Sequence, residues 1–374
     1  MPRYRRHELA HATAWITPAA QQHGAALPDA VAARLGVGRR SALALLRRLE
    51  AAQWLRRSGP QRRPVWQPGA MRQVVHSYAL AGLQEDRVWA QDFAPGFVLP
   101  AAVQRMARHA LTELVNNAVE HSGGRRVTVS MRQTPLQLQL LVSDDGCGLF
   151  ERIAQAHGID DARLAMFELA KGGLTSRAAQ HCGQGLFFSA RVGDIFDIHA
   201  NGAAFQFRAG ETGPTVDAAG AAGQTGAAPD AAAGRWHDTR PATAAGTSVY
   251  LAIALDTPRT LQQVLQQHAL PTTQGLPRLG FDLTQVPLGL LGSGGALASR
   301  AEARRVAARL GGFRAADLDF RGIADIGHGF ADELFRVFAQ QHPQLQLRPH
   351  GMSPAVAAMV SATAGVTVGA GAGS

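Results

Sequence analysis

Residues 111–122 read LTELVNNAVEHS, and this stretch sets the expected fold of the middle of the chain. On a helix, Glu113, Asn117 and His121 fall at i, i+4 and i+8 and form one polar stripe. An amide oxygen at Asn117 suits Mg²⁺, and a carboxylate one turn earlier can polarise a water for attack on a γ-phosphate. An ordinary amphipathic helix with a solvated polar face has the same pattern. The opposite face is apolar and is expected to meet a core: Leu111, Leu114, Val115 and Ala118.

Three further motifs follow along the chain. SDDGCGL at 143–149 ends a strand and offers Asp144 as an acceptor for an amino group such as that of adenine, although an Asp-Gly turn looks the same. HCGQGLFF at 181–188 runs glycines into the start of a helix, where free N–H groups suit phosphates. GTSVY at 246–250 opens a strand. Each motif is weak alone, and the set is more specific than any one of them.

In this order and spacing, the four motifs resemble those of the GHKL ATPase superfamily, which includes gyrase, Hsp90, MutL, histidine kinases and anti-sigma serine kinases. The resemblance implies a Bergerat-type α/β sandwich that binds ATP and Mg²⁺. Glu113 is then the catalytic base, Asn117 the Mg²⁺ ligand and Asp144 the residue that reads adenine. The implied cofactor-binding residues are Asn117, Asp144, Gly146, Gly148, Lys171, Gly183, Gly185, Leu186 and Thr247.

The same resemblance implies a mobile lid at about 151–183 that covers the triphosphate. Lys171 lies in this segment, within AKGG, and is the only lysine among the 37 basic residues of the chain. Two interpretations carry equal weight for it. The ammonium either reaches the phosphates or belongs to a solvated loop.

The first 75 residues hold the chain's excess of positive charge. They contain 13 Arg and three acidic residues, a balance of +10, whereas the whole chain has +9. Residues 28–35 and 39–54 read as two helices around a Gly-Val-Gly turn, and two short basic strands follow. On the second helix, Leu45, Leu46 and Leu49 share one face and Arg40, Ala44 and Arg47 the other.

This segment resembles a bacterial winged-helix DNA-binding domain, which implies duplex DNA as its partner. A solvated basic face is the alternative interpretation of any such charge run. The implied DNA contacts are Arg39, Arg40, Arg47, Arg56, Arg57, Arg62 and Arg63.

Near the other end, residues 319–335 read DFRGIADIGHGFADELF and strongly resemble the STAS-like domain of unknown function that bacteria fuse to GHKL modules. Strands alternate with helices around it, including a strand expected at 288–291, which predicts an α/β domain. STAS domains of anti-sigma antagonists carry a phosphorylatable Ser, but the matching IGHG at 326–329 has none. Asp332 and Glu333 are expected either to bind a protein partner or, in the blander interpretation, to cap a helix start.

These features predict an α/β multidomain chain with a winged helix, a central sandwich and a STAS-like domain. The expected boundaries are 1–75, 76–255 with a disordered Ala/Gly-rich insertion at 209–245, a linker at 256–279, 280–365, and a disordered tail at 366–374. Two cysteines are too few for a disulfide framework. Neither a signal peptide nor an 18-residue apolar run is found, so we expect a cytoplasmic protein that makes no membrane contact.

The expected function is an ATP-binding, and ATP-hydrolysing, regulatory switch that links nucleotide state to DNA binding and to the STAS-like domain in transcription regulation. One alternative is a protein kinase of the histidine-kinase or anti-sigma serine-kinase type that acts on a separate protein. No two-helix acceptor element precedes residue 100, and His109 is expected to pack or to lie near the site rim. Another alternative is a DNA-binding scaffold with a structural ATP site. The oligomeric state, including a homodimer, stays open.

Overall fold

The computed structural model divides into two compact units. One comprises Met1–Cys147, Val192–Ile198 and Ala245–Thr260, and the other comprises Gly148–Arg191, His199–Ala244 and Leu261–Ser374. The structure describes residues 6–60, 63–159, 162–171, 185–208, 215–218, 245–267, 283–291, 296–308 and 310–364.

The first unit begins with three helices and a hairpin: α1 (Arg6–His23), α2 (Leu27–Leu35), α3 (Arg39–Ala51), β1 (Leu55–Ser58) and β2 (Val65–Pro68). β1 and β2 pair antiparallel. Leu45, Leu46 and Leu49 of α3 are buried in a core with Trp15 and Trp66, and Arg40 and Arg47 are exposed. The facing predicted for this helix is therefore confirmed.

A sheet forms the rest of this unit, in the strand order β3-β4-β5-β9-β6, and its first three pairs are antiparallel. Its strands are β3 (Arg72–Ala79), β4 (Arg126–Gln133), β5 (Gln137–Asp144), β6 (Ile195–Ala200) and β9 (Thr247–Ala254). Between β3 and β4 lie the short helix α4 (Glu85–Arg87), a π-helical turn and the long helix α5 (Ala101–His121). The apolar face of α5 packs against β5 and β9, which places the polar stripe of the helix away from the sheet.

The N-terminal helices and the sheet join through β3. Helix α1 packs on β3, and the Thr17 hydroxyl accepts the backbone N–H of Gln73 at 3.0 Å. Only three residues separate β2 from β3, and β3 pairs with β4 from Arg72 to Ala79. The boundary expected between residues 75 and 76 therefore falls inside a sheet strand.

The second unit contains α6 (Leu149–His157), α7 (Ala162–Lys171), α8 (Gly185–Val192), and the antiparallel pair β7 (Ala203–Arg208) and β8 (Thr215–Ala218). Strand β8 falls within the insertion that was expected to be disordered throughout. The Thr-Val pair at its start is β-branched and suits a strand. The rest of that insertion, and the tail at 366–374, lie outside the described residues.

A second α/β arrangement follows in this unit after α9 (Leu261–Gln267). Strands β10 (Leu283–Pro287), β12 (Ala315–Asp319) and β14 (Gln346–His350) form a parallel sheet in the order β10-β12-β14. β11 (Ala296–Leu297) and β13 (Asp325–Ile326) form a separate parallel pair. The helices are α10 (Arg300–Ala307), α11 (His328–Ala331), α12 (Ala339–Gln341) and α13 (Pro354–Ala364).

Two details of this part differ from the sequence expectation. The strand predicted at 288–291 is wrong, because Leu288–Leu290 form a 3-10 turn directly after Pro287 ends β10. The helix predicted at 330–340 is present, but a π-helical turn at Asp332–Phe338 joins α11 to α12. Across the described parts of the chain, no helix combines the length and apolar character needed to cross a bilayer.

Candidate functional site

The candidate site is built on helix α5 and on the loop that follows β5. Leu111, Leu114, Val115 and Ala118 are at most 3% exposed, and Glu113, Asn117 and His121 are partly exposed. His121 lies 3.7 Å from Glu120. The predicted division of the helix into a core face and a polar stripe is confirmed.

The side-chain amide of Asn117 is incompletely satisfied. Its Nδ2 atom is buried and has no hydrogen-bond partner among the described residues. Buried polar atoms nearly always have partners, so this N–H₂ group retains the capacity to donate to a ligand such as a phosphate oxygen or a metal-bound water. The oxygen of such an amide is a suitable ligand for Mg²⁺.

Asp144 ends β5 with a buried carboxylate, 6% exposed. Its Oδ1 atom accepts the backbone N–H of Gly146 at 2.9 Å and that of Thr247 at 3.2 Å. One carboxylate oxygen therefore joins the Asp-Asp-Gly motif to the Gly-Thr motif at the start of β9. The two motifs are distant in sequence, and their pairing follows from the antiparallel β5–β9 ladder.

The glycines around Asp144 are required by contacts within the protein. A Cβ on Gly246, whose φ is +101°, would lie 2.1 Å from the carbonyl oxygen of Asp144. A Cβ on Gly146 would lie 2.1 Å from the carbonyl oxygen of Ser122. These approaches account for both glycines by contacts within the protein, whereas the resemblance implies that Gly146 binds the cofactor.

The end of α5 is tied to the loop after β5 by residues that the sequence analysis did not single out. The Ser122 carbonyl accepts the N–H of Cys147 at 3.0 Å. The Asp145 carboxylate accepts the backbone N–H groups of Arg125 and Arg126 at 2.7 and 2.9 Å, and these bonds hold the pKa of Asp145 below its usual value. In the sequence, the second aspartate of SDDG is the feature that could have indicated this contact. Asp145 thereby positions the loop that carries Asp144.

Gly148 and helix α6 meet a second residue that sequence reasoning missed. A Cβ on Gly148, whose φ is +93°, would lie 2.1 Å from Oδ1 of Asn201. The same Oδ1 accepts the N–H of Glu151 at 3.4 Å, and the Asn201 amide donates to the Glu151 carboxylate at 3.2 Å. Asn201 therefore holds the first turn of α6, directly after the last glycine of the Asp-Asp-Gly-Cys-Gly motif.

The donor set fits Mg-ATP on its own chemistry. It offers an orphaned buried amide at Asn117, a partly buried carboxylate at Glu113 and a buried carboxylate at Asp144. Among the described residues, no cluster of three His, Cys, Asp or Glu side chains is placed to hold a metal alone. A magnesium ion here would depend on phosphate and water for most of its ligands, as is usual for this ion.

The phosphate-side motif is only partly described. Gly185 and Leu186 open helix α8, but Gly183 lies outside the described residues. Lys171 differs from both expectations: it ends α7 and is 1% exposed. Its ammonium donates to Glu168 and to two backbone carbonyls, so in this conformation it neither extends into solvent nor is available to a phosphate.

The partly buried ring of His109, on α5, agrees with the packing role expected for it. Burial lowers the pKa of the imidazole, and its Nε2 atom has no hydrogen-bond partner among the described residues. The partly buried position of the ring, with its Nε2 atom inaccessible, hinders the approach of a phosphoryl donor from a separate molecule.

The N-terminal basic residues occupy one helix face and one hairpin. Arg39 pairs with Asp29, and Arg57 donates to Glu50 at 2.8 Å, so their charges are partly neutralised. Arg62 lies outside the described residues. The other predicted DNA contacts are exposed and, among the described residues, make no ion pair: Arg40, Arg47, Arg56 and Arg63.

The hairpin also meets arginines from the sheet. Burial and the nearby charge of Arg56 lower the pKa of Arg72, and the guanidinium of Arg132 lies 5.3 Å from the ring of Trp54. The basic region is therefore larger than the hairpin and reaches β3 and β4. No pattern in the sequence indicates Arg132, because it lies on a different element, β4.

In the C-terminal part, Asp332 and Glu333 do not cap a helix. Asp332 lies within the continuous helical run from His328 and accepts bonds from Arg336 at 2.5 and 2.9 Å. Glu333 accepts a bond from Arg304 at 2.7 Å, which ties the run to α10. The expected capping role is wrong, since Asp332 lies inside the helical run and binds Arg336 one turn later, and Glu333 binds Arg304 of α10.

Comparison with known proteins assigns two segments of the chain. Residues 102–208 match the family described as histidine kinase-, DNA gyrase B- and HSP90-like ATPase. Residues 304–357 match the family described as a STAS-like domain of unknown function. Among curated proteins, none matches this chain. The ATPase match ends before Gly246, so the structure alone brings the Gly-Thr motif to Asp144.

Proposed function

We propose that this chain, which carries a GHKL-type ATPase domain and a STAS-like domain, is an ATP-dependent regulator that couples Mg-ATP binding to duplex DNA binding. The observation that supports nucleotide binding best is the arrangement at Asp144. Its buried carboxylate accepts the backbone N–H groups of Gly146 and Thr247. Helix α5 carries the Asn117 amide, whose Nδ2 atom has no hydrogen-bond partner among the described residues.

Within this function, each polar residue has a separate task. Asp144 accepts a hydrogen bond from the adenine amino group, because a fixed carboxylate at a strand end distinguishes a donor from an acceptor. Asn117 holds the magnesium ion, which supplies charge neutralisation at the phosphates. Glu113, one turn before Asn117, takes the proton of the attacking water.

DNA binding is assigned to the N-terminal helices and hairpin, in the manner of a winged helix. Helix α3 exposes Arg40 and Arg47 on the face opposite its leucines, as a recognition helix would. Arg56 and Arg63 lie on the hairpin and are placed to contact phosphate. The direct continuation of β2 into β3 gives the hairpin a short covalent route to the ATPase sheet.

The test uses the full chain, because a cut at residue 75 would divide β3. Binding of a fluorescently labelled duplex is measured by anisotropy without nucleotide, with Mg-ATP and with Mg-ADP. We expect the DNA affinity to differ among these conditions. Equal affinities, with nucleotide binding verified by calorimetry, would remove the coupling and leave a DNA-binding protein whose ATP site is structural.

Transfer of phosphate to a protein is the competing function. Incubation with γ-labelled ATP separates the two, since hydrolysis releases free phosphate and a kinase leaves label on a protein. The buried Nε2 atom of His109, on a partly buried ring, argues against self-phosphorylation at that residue. Acid-labile label on the chain would favour the kinase.

A further inference from the structure

Helix α7 belongs to one domain by sequence and packs in another. It spans Ala162–Lys171, within the segment that matches the ATPase family. Phe167 on α7 is fully buried in the hydrophobic core of the STAS-like domain, in the same cluster as Val286 and Leu288. An aromatic side chain of the ATPase segment therefore completes the core of the STAS-like domain.

Lys171 makes the second attachment, through its ammonium. The Nζ atom donates to the carbonyl oxygen of Ala308 at 2.7 Å and of Val306 at 3.5 Å, and to the Glu168 carboxylate at 2.7 Å. Both carbonyls stand at the C-terminal end of α10, where unsatisfied carbonyls and the helix dipole favour a cation. The N-terminus of α10 is capped by a residue of its own segment, Ser299. The cation at its C-terminus is the Lys171 ammonium of α7.

Strand β10 makes the third attachment. The Thr284 hydroxyl, fully buried on this strand, donates to the carbonyl oxygen of Lys171. The neighbouring Gln285 accepts a bond from Arg191 of α8 at 3.3 Å. β10 is an edge strand of its sheet. Its adjacent residues Thr284 and Gln285 bind α7 and α8, the helices that precede and follow residues 172–184 in the chain.

These contacts are too specific for an incidental packing of a surface helix. A lysine at a helix end normally keeps its ammonium in water, and burying it is costly unless a carboxylate and further acceptors surround it. Here all of these acceptors are present. The ammonium of Lys171 joins Glu168 of its own helix to the end of α10, so we expect the residues of α7 to dock and undock together.

We propose that the STAS-like domain is the docking receptor of helix α7 and that this receptor and Mg-ATP compete for the helix. The inference rests on the proposed nucleotide binding. An ammonium that caps α10 cannot contact a phosphate at the same time, so the docked helix and a helix engaged with nucleotide are alternative states. Linkage then requires that a change weakening docking strengthens nucleotide binding, by up to the same factor where the docked state predominates.

The decisive variant is Thr284→Val, which removes a hydroxyl donor in the STAS-like domain and leaves every residue assigned to the nucleotide site unsubstituted. Loss of one hydrogen bond to Lys171 is expected to lower the Kd for Mg-ATP about fivefold in the full chain, measured by calorimetry. The matched control is Thr363→Val, which loses a comparable hydroxyl bond, to Met359 on α13, away from α7. Its Kd is expected to equal that of the wild type.

Hydrogen exchange distinguishes the possible failures. In Thr284→Val, amides of α7 and of the last turn of α10 are expected to exchange faster together, and Thr363→Val leaves both unchanged. Unchanged exchange in Thr284→Val overturns the docking. Faster exchange with a wild-type Kd overturns the competition but leaves the proposed ATP binding intact. Absence of Mg-ATP binding by the wild type overturns the proposed function and the competition, and the exchange result still decides the docking.

Discussion

The carboxylate of Asp144 accepts the backbone N–H of Thr247 at 3.2 Å, although the two residues are 103 positions apart in the chain. This bond makes the start of β9 part of the nucleotide site. It also means that the carboxylate has two tasks, to hold the backbone and to read adenine. The tasks can be separated by substitution.

Asp144→Asn is expected to keep the fold and lose nucleotide affinity. The amide oxygen can still accept the N–H groups of Gly146 and Thr247, but the amide presents a donor to adenine where a carboxylate presents an acceptor. ATP and ADP should weaken alike, because both carry adenine, and calorimetry measures both. Asp256→Asn, at an exposed position after β9, is the control. Wild-type affinity in Asp144→Asn would show that the site is wrongly assigned.

Gly246→Ala is expected to destabilise the protein strongly. The backbone there has a φ of +101° and the new Cβ would meet the Asp144 carbonyl at 2.1 Å, so backbone atoms must shift. Gly82→Ala provides the control, because its φ is +72° and no atom lies within 4 Å of the added Cβ. The control isolates the conformational cost, about 1–2 kcal/mol. A denaturant titration in which both variants lose the same stability would contradict the close approach.

Glu113→Gln is expected to bind Mg-ATP normally and to hydrolyse it about 10²–10⁴ times more slowly, because an amide cannot accept the proton of the attacking water. Phosphate release under saturating nucleotide measures this. Asn117→Ala should instead weaken the Mg²⁺-dependent part of binding. Unchanged turnover in Glu113→Gln would assign the base to another residue.

DNA binding by the full chain should fall steeply with salt. Each phosphate that is neutralised adds about 0.9 to the slope of log affinity against log salt, so Arg56→Ala with Arg63→Ala should flatten it by up to about two. Arg40→Gln or Arg47→Gln should change sequence preference if either side chain reads a base edge. Arg304→Ala, at an exposed position in the STAS-like domain, is the control. No binding at low salt would exclude DNA as the partner.

The pH dependence of stability should show a contribution from His109. Burial lowers the pKa of its imidazole in the folded chain, so as pH falls through the unfolded value of about 6.5 the unfolded chain takes up a proton that the folded chain refuses. The free energy of unfolding should therefore decrease toward acid. His109→Leu should reduce this decrease, and His199→Gln, at an exposed position, should not. Equal slopes in the wild type and His109→Leu would contradict the effect of burial.

Local patterns predicted the parts of the fold that depend on periodicity. The two faces of α5 and of α3 follow from helical spacing alone, and the structure has both as expected. The 3-10 turn at Leu288–Leu290 differs from the predicted strand because periodicity does not distinguish a short apolar run in a strand from one in a turn.

Tertiary contacts account for the rest. A lysine in a glycine-flanked segment has the pattern of a solvated loop or a phosphate ligand. Only the structure shows that Lys171 caps α10, whose carbonyls lie 135 and 137 residues further along the chain. Likewise, Asn201 gave no motif, because its role depends on Gly148 and Glu151, which are distant in sequence.

The central place of β9 has a consequence for biosynthesis. In the first unit, β9 lies between β5 and β6 but is the last of the five strands to leave the ribosome. Until about residue 254 is synthesised, the nascent chain holds β5 with one unpaired edge, and such an edge can pair with another chain. Messages truncated before residue 245 should therefore yield aggregating products and not a smaller working ATPase.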